Sequence, residues 1–166
     1  MRLSERMIRM LETHKPDFEE LEFRQKLLAD ERTMSYNEAW GGTIAFSRES
    51  WQKWYHDWLE ADETERYYRY LRDTDIDAFV GEIAYHHDEK RGIWLCDVIV
   101  LAEYRNRGYG TEGIRLLFET ARKNGITVLY DDIAADNPAC RLFLKNGFII
   151  DHQTDDVIML RKDLNE

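Results

Sequence analysis

The 166-residue sequence has little of what would divide it, cross-link it or embed it in a membrane. It contains only two prolines, so no proline-rich linker separates two domains. Its two cysteines, Cys96 and Cys140, form neither a metal-binding spacing nor a disulfide framework. No apolar stretch approaches the roughly 20 residues of a membrane span, and the first residues lack a signal-peptide-like run. We therefore expect one domain in the reducing cytoplasm, without a membrane partner.

Positively charged residues are also fewer than negatively charged ones. The chain has 23 Lys and Arg against 33 Asp and Glu, a net charge of −10. This balance argues against nucleic-acid binding, which needs Lys and Arg to displace counterions from phosphates, and it is compatible with a cationic partner. The 43% hydrophobic and 13% aromatic content predicts a packed core.

Helical spacing dominates the N-terminal third. Ser4 is placed to cap a helix that includes Leu11, and Pro16 is placed to open a second helix. Residues 30–46 are interpreted as a loop. Ser47 can cap a third helix, whose apolar stripe contains Trp51, Trp54, Tyr55, Trp58 and Leu59.

From residue 66 the pattern predicts strands and helices in the order βββ, α, β, α, ββ. The predicted strands cover residues 66–71, 77–87, 93–100, 126–134, 148–152 and 157–161. A helix is expected over 109–123, and a shorter one with Asn137 as N-cap, Pro138 as first residue and its end near Lys145. The first three strands should form an antiparallel meander.

Residues 108–113, Gly-Tyr-Gly-Thr-Glu-Gly, have the G-x-G-x-x-G spacing of a dinucleotide-binding turn, and the acidic pair Asp131-Asp132 follows about twenty residues later. A dinucleotide fold, however, places its first glycine directly after a strand. Here the strand ends near Leu101 and the polar stretch EYRNR intervenes. Only 58 residues (166 − 108) follow Gly108, too few for the remaining strand–helix units. These glycines are better explained by another phosphate ligand.

Two motifs together resemble a known family. Arg105-x-x-Gly108-x-Gly110 resembles the acetyl-CoA signature Gln/Arg-x-x-Gly-x-Gly/Ala of the GNAT N-acetyltransferase superfamily. The stretch DNPACRLFLKNGF, residues 136–148, is similar to the family's second helix motif, which typically ends Tyr-x-Lys-x-Gly-Phe. One predicted helix and one predicted strand separate them, and the resemblance covers roughly residues 65–161.

The resemblance implies a single α/β (α+β) domain over residues 1–166, with a mixed, mostly antiparallel central sheet flanked by helices. It implies a splay between strands 93–100 and 126–134, with pantetheine in the gap. Residues 1–62 would form a helical acceptor-side region, and residues 65–161 the acetyl-CoA-binding core. A homodimer is a further expectation from the family.

Acetyl-CoA is thus the expected co-substrate, and no metal is expected. Gly108 and Gly110 let the backbone approach a pyrophosphate, free N–H groups and the helix dipole favour the anion, and Arg105 and Arg107 add positive charge. From the resemblance, Asn137 matches an asparagine that contacts the cofactor arm. The expected cofactor-binding residues are Val98, Ile99, Val100, Arg105, Asn106, Arg107, Gly108, Tyr109, Gly110, Thr111, Asn137 and Phe143.

Acetyl transfer needs a base for the amine proton. Asp97 is the first candidate because it interrupts the apolar run IWLCDVIV, and Glu82 is the second; either could instead be a structural ion pair or face solvent. The family's tyrosine, which protonates the sulfur, is replaced by Phe143. Tyr130, Tyr109 or water could serve instead, or the thiolate could leave without an acid.

The sequence thus predicts an acetyl-CoA-dependent N-acetyltransferase acting on a primary amine. The expected acceptor is a small cationic amine such as an aminoglycoside, a polyamine or a related antibiotic. A protein N-terminus or lysine side chain is the alternative acceptor, and a non-catalytic CoA-binding sensor is the alternative function.

Overall fold

The computed structural model describes residues 11–165, which contain one seven-stranded sheet flanked by helices. The strands are β1 (Leu11–His14), β2 (Arg66–Asp73), β3 (Ala78–Asp88), β4 (Ile93–Val100), β5 (Val128–Ala134), β6 (Ile149–Gln153) and β7 (Val157–Asp163). The α-helices are α1 (Leu21–Ala29), α2 (Arg48–Leu59), α3 (Tyr109–Lys123) and α4 (Cys140–Lys145). Short 3₁₀-helices span Phe18–Glu20, Thr33–Trp40 and Ala102–Tyr104. None of the helices in this range is long and apolar enough to cross a membrane.

The strand order is β1-β2-β3-β4-β5-β7-β6, and β4 and β5 form the parallel pair in an otherwise antiparallel sheet. These two strands pair only at Leu95 and Tyr130, and then separate toward their C-terminal ends. This confirms the predicted βββ meander, the mixed sheet and the splay. Because parallel strands end at the same edge of a sheet, the gap opens beside the segments that follow β4 and β5.

Each face of the sheet carries its own core. On one face α3 buries Ile114, Leu117 and Ala121, and Gly113 lets the helix approach so closely that an added Cβ would lie 2.9 Å from Leu71. Each buried Leu or Ile contributes about 1.5–3 kcal/mol. On the other face α1 and α2 cover the sheet with an aromatic-rich cluster that includes Trp51. The central strands are therefore apolar on both sides.

The structure corrects the secondary-structure prediction in three places. Leu11 lies in β1, which pairs antiparallel with β2, and not in a helix; the rest of that predicted helix lies outside the described residues. Much of the predicted loop 30–46 is the 3₁₀-helix Thr33–Trp40. α4 begins at Cys140, after Pro138, because the Asn137 side chain accepts a hydrogen bond from the Ala139 N–H and forms a turn first.

Candidate active site

A cleft of about 770 Å³ opens where β4 and β5 separate. The predicted site residues that line it are Glu82, Asp97, Val98, Ile99, Val100, Arg105, Asn106, Gly108, Tyr109, Gly110, Thr111, Asn137 and Phe143. Arg107 is not among the lining residues; its guanidinium donates to the Glu103 carbonyl oxygen at 3.4 Å and lies over the Tyr104 ring. The structure thus brings every predicted site residue except Arg107 to one cleft.

The loop before α3 presents unused hydrogen-bond donors. Asn106 (φ 64°) and Gly108 (φ 89°) both adopt the left-handed conformation that turns successive N–H groups to one side, as in anion-binding nests. Within the described part of the chain, the backbone N–H groups of residues 106–111 have no backbone or side-chain acceptor. They lie at the positive pole of the α3 dipole. This arrangement fits a pyrophosphate.

Gly110 marks a close contact between the two helices that border the loop. A Cβ at this position would lie 2.7 Å from Leu142 Cδ2 on α4. The absence of a side chain therefore leaves α4 room to pack against the N-terminus of α3. It also keeps the N–H groups at this end of the helix uncovered.

Arg105 differs from its expected role as a positive charge for the pyrophosphate. Its guanidinium donates to the carbonyl oxygens of Thr33 at 2.7 Å and of Arg32 at 3.3 Å. The Ala102 N–H donates to Thr33 Oγ1 at 2.9 Å. The side chain of the motif arginine thus holds the 3₁₀-helix Thr33–Trp40 against the glycine loop.

The backbone of β4 offers further donors and acceptors to the gap. The Leu101 N–H donates to the Val80 carbonyl oxygen at 2.9 Å, so this peptide group faces β3. Peptide groups alternate along a strand, and therefore those of Val98 and Val100 face the gap while that of Ile99 faces β3. Beyond Leu95 no β5 residue pairs with them. Val98 and Val100 can accordingly hydrogen-bond the amides of a pantetheine arm.

Four carboxylates line the cleft: Glu82, Asp97, Asp131 and Asp132. Asp97 pairs with Ala84 across the sheet and Glu82 with Ile99, so the two acids are diagonal neighbours on one face, roughly 7–8 Å apart. Glu82 is 4% exposed; the Tyr68 hydroxyl donates to it, and Arg24 Nε lies 3.8 Å away. Asp131 on β5 is 7% exposed.

Burial raises the pKa of Glu82, Asp97 and Asp131, and repulsion from neighbouring carboxylates adds to the increase for Asp97 and Asp131. For Glu82 burial raises the pKa and the Arg24 charge opposes it. Asp97 is exposed to the cleft, yet the protein around it desolvates the carboxylate, and this desolvation with the Glu82 charge raises its pKa to about 7. Burial and the Asp97 charge raise the pKa of Asp131. These acids therefore hold protons more readily than isolated carboxylates do, and a nearby cation would favour their ionised forms.

Sequence analysis did not identify Asp131 and its neighbour Asp132 as candidate site residues. Both line the cleft, and Asp132 Oδ2 also accepts a hydrogen bond from Arg91 Nη1 at 3.3 Å. The available signal was the same that identified Asp97, a carboxylate interrupting an apolar strand, here VLYDDIA. Sequence analysis considered this pair only because its distance from the glycines matches that of the acidic residue in a dinucleotide-binding fold.

Neither tyrosine that sequence analysis considered as a proton source for the sulfur presents a free hydroxyl in the cleft. Phe143 is 2% exposed and cannot donate. The Tyr109 hydroxyl donates to the Asp73 carboxylate, which helps to raise the tyrosine pKa to about 12. Tyr130 is not among the residues that line the cleft. Tyr36, which sequence analysis assigned to a loop, does line it.

The side of the cleft formed by the helices that precede β2 combines aromatic rings with a fixed cation. Trp40 and Trp58 line it, and Trp40 is 52% exposed. The Arg24 guanidinium lies 4.5 Å from the Phe46 ring centre and 4.3 Å from that of Trp54. Within residues 11–165, no group of three or more His, Cys, Asp or Glu side chains is arranged to hold a metal ion.

Known proteins share this sequence pattern and this architecture. The family model described as acetyltransferase (GNAT) family matches residues 10–148. An uncharacterized N-acetyltransferase from Schizosaccharomyces pombe is 31% identical over 80 residues, which are 47% of this chain and 56% of that protein. The matched region thus spans little more than half the length of this curated relative.

Solved structures resemble the whole fold. Spermidine N-acetyltransferase from Vibrio cholerae, in complex with CoA and spermine, has a TM-score of 0.78 at 15% identity, covering 95% of this chain and 97% of that one. A GNAT-family acetyltransferase from Bacillus anthracis has a TM-score of 0.73 at 16% identity, covering 95% and 96%. A Salmonella typhimurium protein solved with its cofactor acetyl-CoA has a TM-score of 0.73 at 15% identity, covering 95% of each chain. At these identities the likeness concerns the fold.

Proposed function

The chain belongs to the acetyltransferase (GNAT) family, and on that premise we propose that it transfers an acetyl group from acetyl-CoA to the primary amine of a small cationic molecule, with polyamines as the first candidates. The observation that carries this proposal is the position of Asp97. This carboxylate, with a pKa near 7, lies in the strand whose backbone borders the gap for the thioester arm.

The cofactor end of the cleft suits acetyl-CoA. The free N–H groups of residues 106–111 donate hydrogen bonds to the pyrophosphate, and the peptide groups of Val98 and Val100 pair with the pantetheine amides. The Asn137 side chain is 6% exposed and lines the same cleft, where it can contact the arm. A β4 N–H group that faces the gap can polarise the thioester carbonyl.

The carboxylates supply the base. A primary ammonium resembling lysine has a pKa of about 10.4, so the reactive neutral amine is scarce at neutral pH. Asp97 accepts the ammonium proton directly or through a water molecule, and Glu82 lies on the same face as the second candidate. The amine then attacks the carbonyl carbon, and the bond between that carbon and the CoA sulfur breaks.

Acidity also supports a cationic acceptor. The charge of Asp97 is repelled by that of Glu82 and repels that of Asp131, and a bound cation favours the ionised forms of these acids. Trp40 and Trp58 provide faces against which an ammonium or its methylene chain can pack. The fold-level likeness to a spermidine N-acetyltransferase makes polyamines the natural first test.

A panel of acceptors tests this choice. CoA release is measured with acetyl-CoA and either spermidine, a diamine, an aminoglycoside, a peptide with a free N-terminus, or an N-acetylated peptide with one lysine. We expect the highest kcat/KM with the small polycations. A preference for either peptide would favour the protein-acetylating alternative, and acetyl-CoA binding without turnover on any amine would favour a CoA sensor.

A further inference from the structure

We propose that the hydroxyl of Tyr36 donates a hydrogen bond to the departing sulfur of CoA and so replaces the motif tyrosine that is absent at Phe143. This inference rests on the proposed acetyl transfer and assigns one more residue to the same site. Tyr36 belongs to the 3₁₀-helix Thr33–Trp40, outside both motifs that resemble the family.

The position of Tyr36 carries the inference. Its half-buried side chain lines the main cleft and also a small adjoining recess of about 110 Å³, which it shares with Asp136 and Pro138. These two residues belong to the turn that leads into α4, the helix that carries Phe143. Tyr36 and Phe143 thus border the same part of the splay from different elements.

The Tyr36 hydroxyl is available. Other buried tyrosines use theirs inside the protein: Tyr68 donates to Glu82, Tyr70 to the Glu20 carbonyl, Tyr85 to the Glu63 carbonyl and Tyr109 to Asp73. Within the described residues the Tyr36 hydroxyl has no hydrogen-bond partner, although the side chain is half-buried. The hydroxyl is therefore free to bond a ligand bound in the cleft that Tyr36 lines.

The charges around Tyr36 keep its proton in place. Burial is the main cause that raises the tyrosine pKa, the Asp97, Glu82 and Asp131 charges add to it, and the Arg105 charge opposes it. Because this pKa lies far above the roughly 8.5 of a free thiol, the hydroxyl remains a donor throughout the neutral range. It stabilises the thiolate by hydrogen bonding and does not lose its own proton.

Two hydrogen bonds from residues at or just before the glycine motif hold the 3₁₀-helix that carries Tyr36. Thr33 accepts from the Arg105 guanidinium through its carbonyl and from the Ala102 N–H through its hydroxyl. In a 3₁₀-helix the side chains at i and i+3 lie above one another, so Thr33 and Tyr36 share a side of this helix. The contact that anchors Thr33 at the cofactor loop therefore also directs Tyr36 toward the cofactor side of the cleft.

The chemical step balances with this assignment. The amine nitrogen forms a bond to the acetyl carbon, the carbon–sulfur bond breaks, and its electron pair remains on sulfur. Asp97 passes the first proton of the ammonium to solvent and then takes the second proton of the nitrogen as the amide forms, and the sulfur accepts a hydrogen bond from Tyr36. CoA leaves as the thiolate and is protonated by solvent. A hydrogen bond to a charged group is worth about 1.5–3 kcal/mol, which corresponds to roughly a 10- to 100-fold rate effect.

Steady-state kinetics on four proteins test the role. We expect Tyr36→Phe to lower kcat by 10- to 100-fold with little change in acetyl-CoA affinity, and Phe143→Tyr in the same chain to restore much of the loss by returning a hydroxyl to the motif position. Tyr130→Phe is the matched control outside the cleft and should behave as wild type. An unchanged kcat, or a loss that the second hydroxyl does not restore in a folded protein, overturns the inference.

A binding measurement separates this inference from the proposed function because it needs no turnover. The thiol of bound CoA is titrated through the ultraviolet absorbance of its thiolate in wild type and in Tyr36→Phe. We expect at least a tenfold smaller thiol ionisation constant in the variant. Equal constants contradict the role of Tyr36 even if acetyl transfer occurs, whereas failure of every amine to react contradicts only the proposed function.

Discussion

The Arg105 guanidinium donates a hydrogen bond of 2.7 Å to the carbonyl oxygen of Thr33. The first residue of the phosphate-binding signature thereby holds the 3₁₀-helix that forms one wall of the cleft. The backbone N–H groups of its neighbours 106–111 have no acceptor within the described residues, and we propose that they bind the cofactor. The segment 105–111 therefore contributes to the cleft in two ways. Its backbone presents N–H groups, and the Arg105 side chain holds the 3₁₀-helix Thr33–Trp40.

Arg105→Gln is expected to act on the Thr33–Trp40 wall. Loss of two hydrogen bonds to backbone carbonyls should cost about 1–2 kcal/mol of unfolding free energy and raise the KM for the amine more than that for acetyl-CoA. Denaturant melts and two-substrate kinetics measure both. Arg107→Gln is the matched control, since its single long contact goes to Glu103. A larger effect on acetyl-CoA than on the amine would assign Arg105 to the phosphate instead.

Gly110→Asp is expected to abolish acetyl-CoA binding. It places a negative charge beside the N–H groups that face the pyrophosphate. Gly110→Ala isolates the steric part, because its Cβ meets only the mobile end of Leu142 at 2.7 Å. Calorimetry with CoA should show a modest loss for Ala and no binding for Asp. Equal affinities for the two variants would show that the phosphates bind elsewhere.

Asp97→Asn is expected to lower kcat/KM by about 10²–10⁴-fold at neutral pH while acetyl-CoA affinity stays near that of wild type. The wild-type rate should rise as pH increases through about 7, because the carboxylate is a base only when ionised. The loss should shrink at high pH, where more amine is already neutral. Parallel profiles within threefold of each other would exclude Asp97, and Glu82→Gln measured alongside shows whether Glu82 is the base.

Asp131→Asn is expected to stabilise the protein at pH 8. The native pKa of Asp131 is raised, so between the unfolded value of about 3.9 and the native value the native state binds more protons. The free energy of unfolding therefore falls as pH rises through this window. The side-chain amide introduced by Asp131→Asn cannot ionise, so it removes that loss. Each kcal/mol recovered raises Tm by about 2–4 °C. Thermal melts at pH 5 and pH 8 check this; an equal shift at both values would mean that ionisation of Asp131 is not the cause.

Sequence periodicity predicted most of the core architecture. The run IWLCDVIV and the α3 stripe contain enough apolar residues to specify β4 and α3, and residues of both motifs line the cleft. Asp97 was found because a carboxylate among apolar residues needs a partner, solvent or a function. These signals are local, and local signals can be read from one sequence.

Tertiary contacts decided the rest. Leu11–His14 became a strand because β2 offered an unpaired edge, which no local pattern reveals. The Thr33–Trp40 helix depends on Arg105, 72 positions after Thr33. Tyr36 therefore could not be recognised as a site residue, and Asp131 needed the splay to bring it near Asp97.

Transfer of an isotopic label from the acetyl group of acetyl-CoA to spermidine tests the central claim most directly. The label in the polyamine and the free CoA are quantified by mass spectrometry over several turnovers. We expect wild type to place the label on a primary amine with one free CoA per acetyl transferred, and Asp97→Asn to do so far more slowly. Label that stays on bound acetyl-CoA in the presence of spermidine and of the other acceptors would contradict an acetyltransferase and leave a CoA-binding protein.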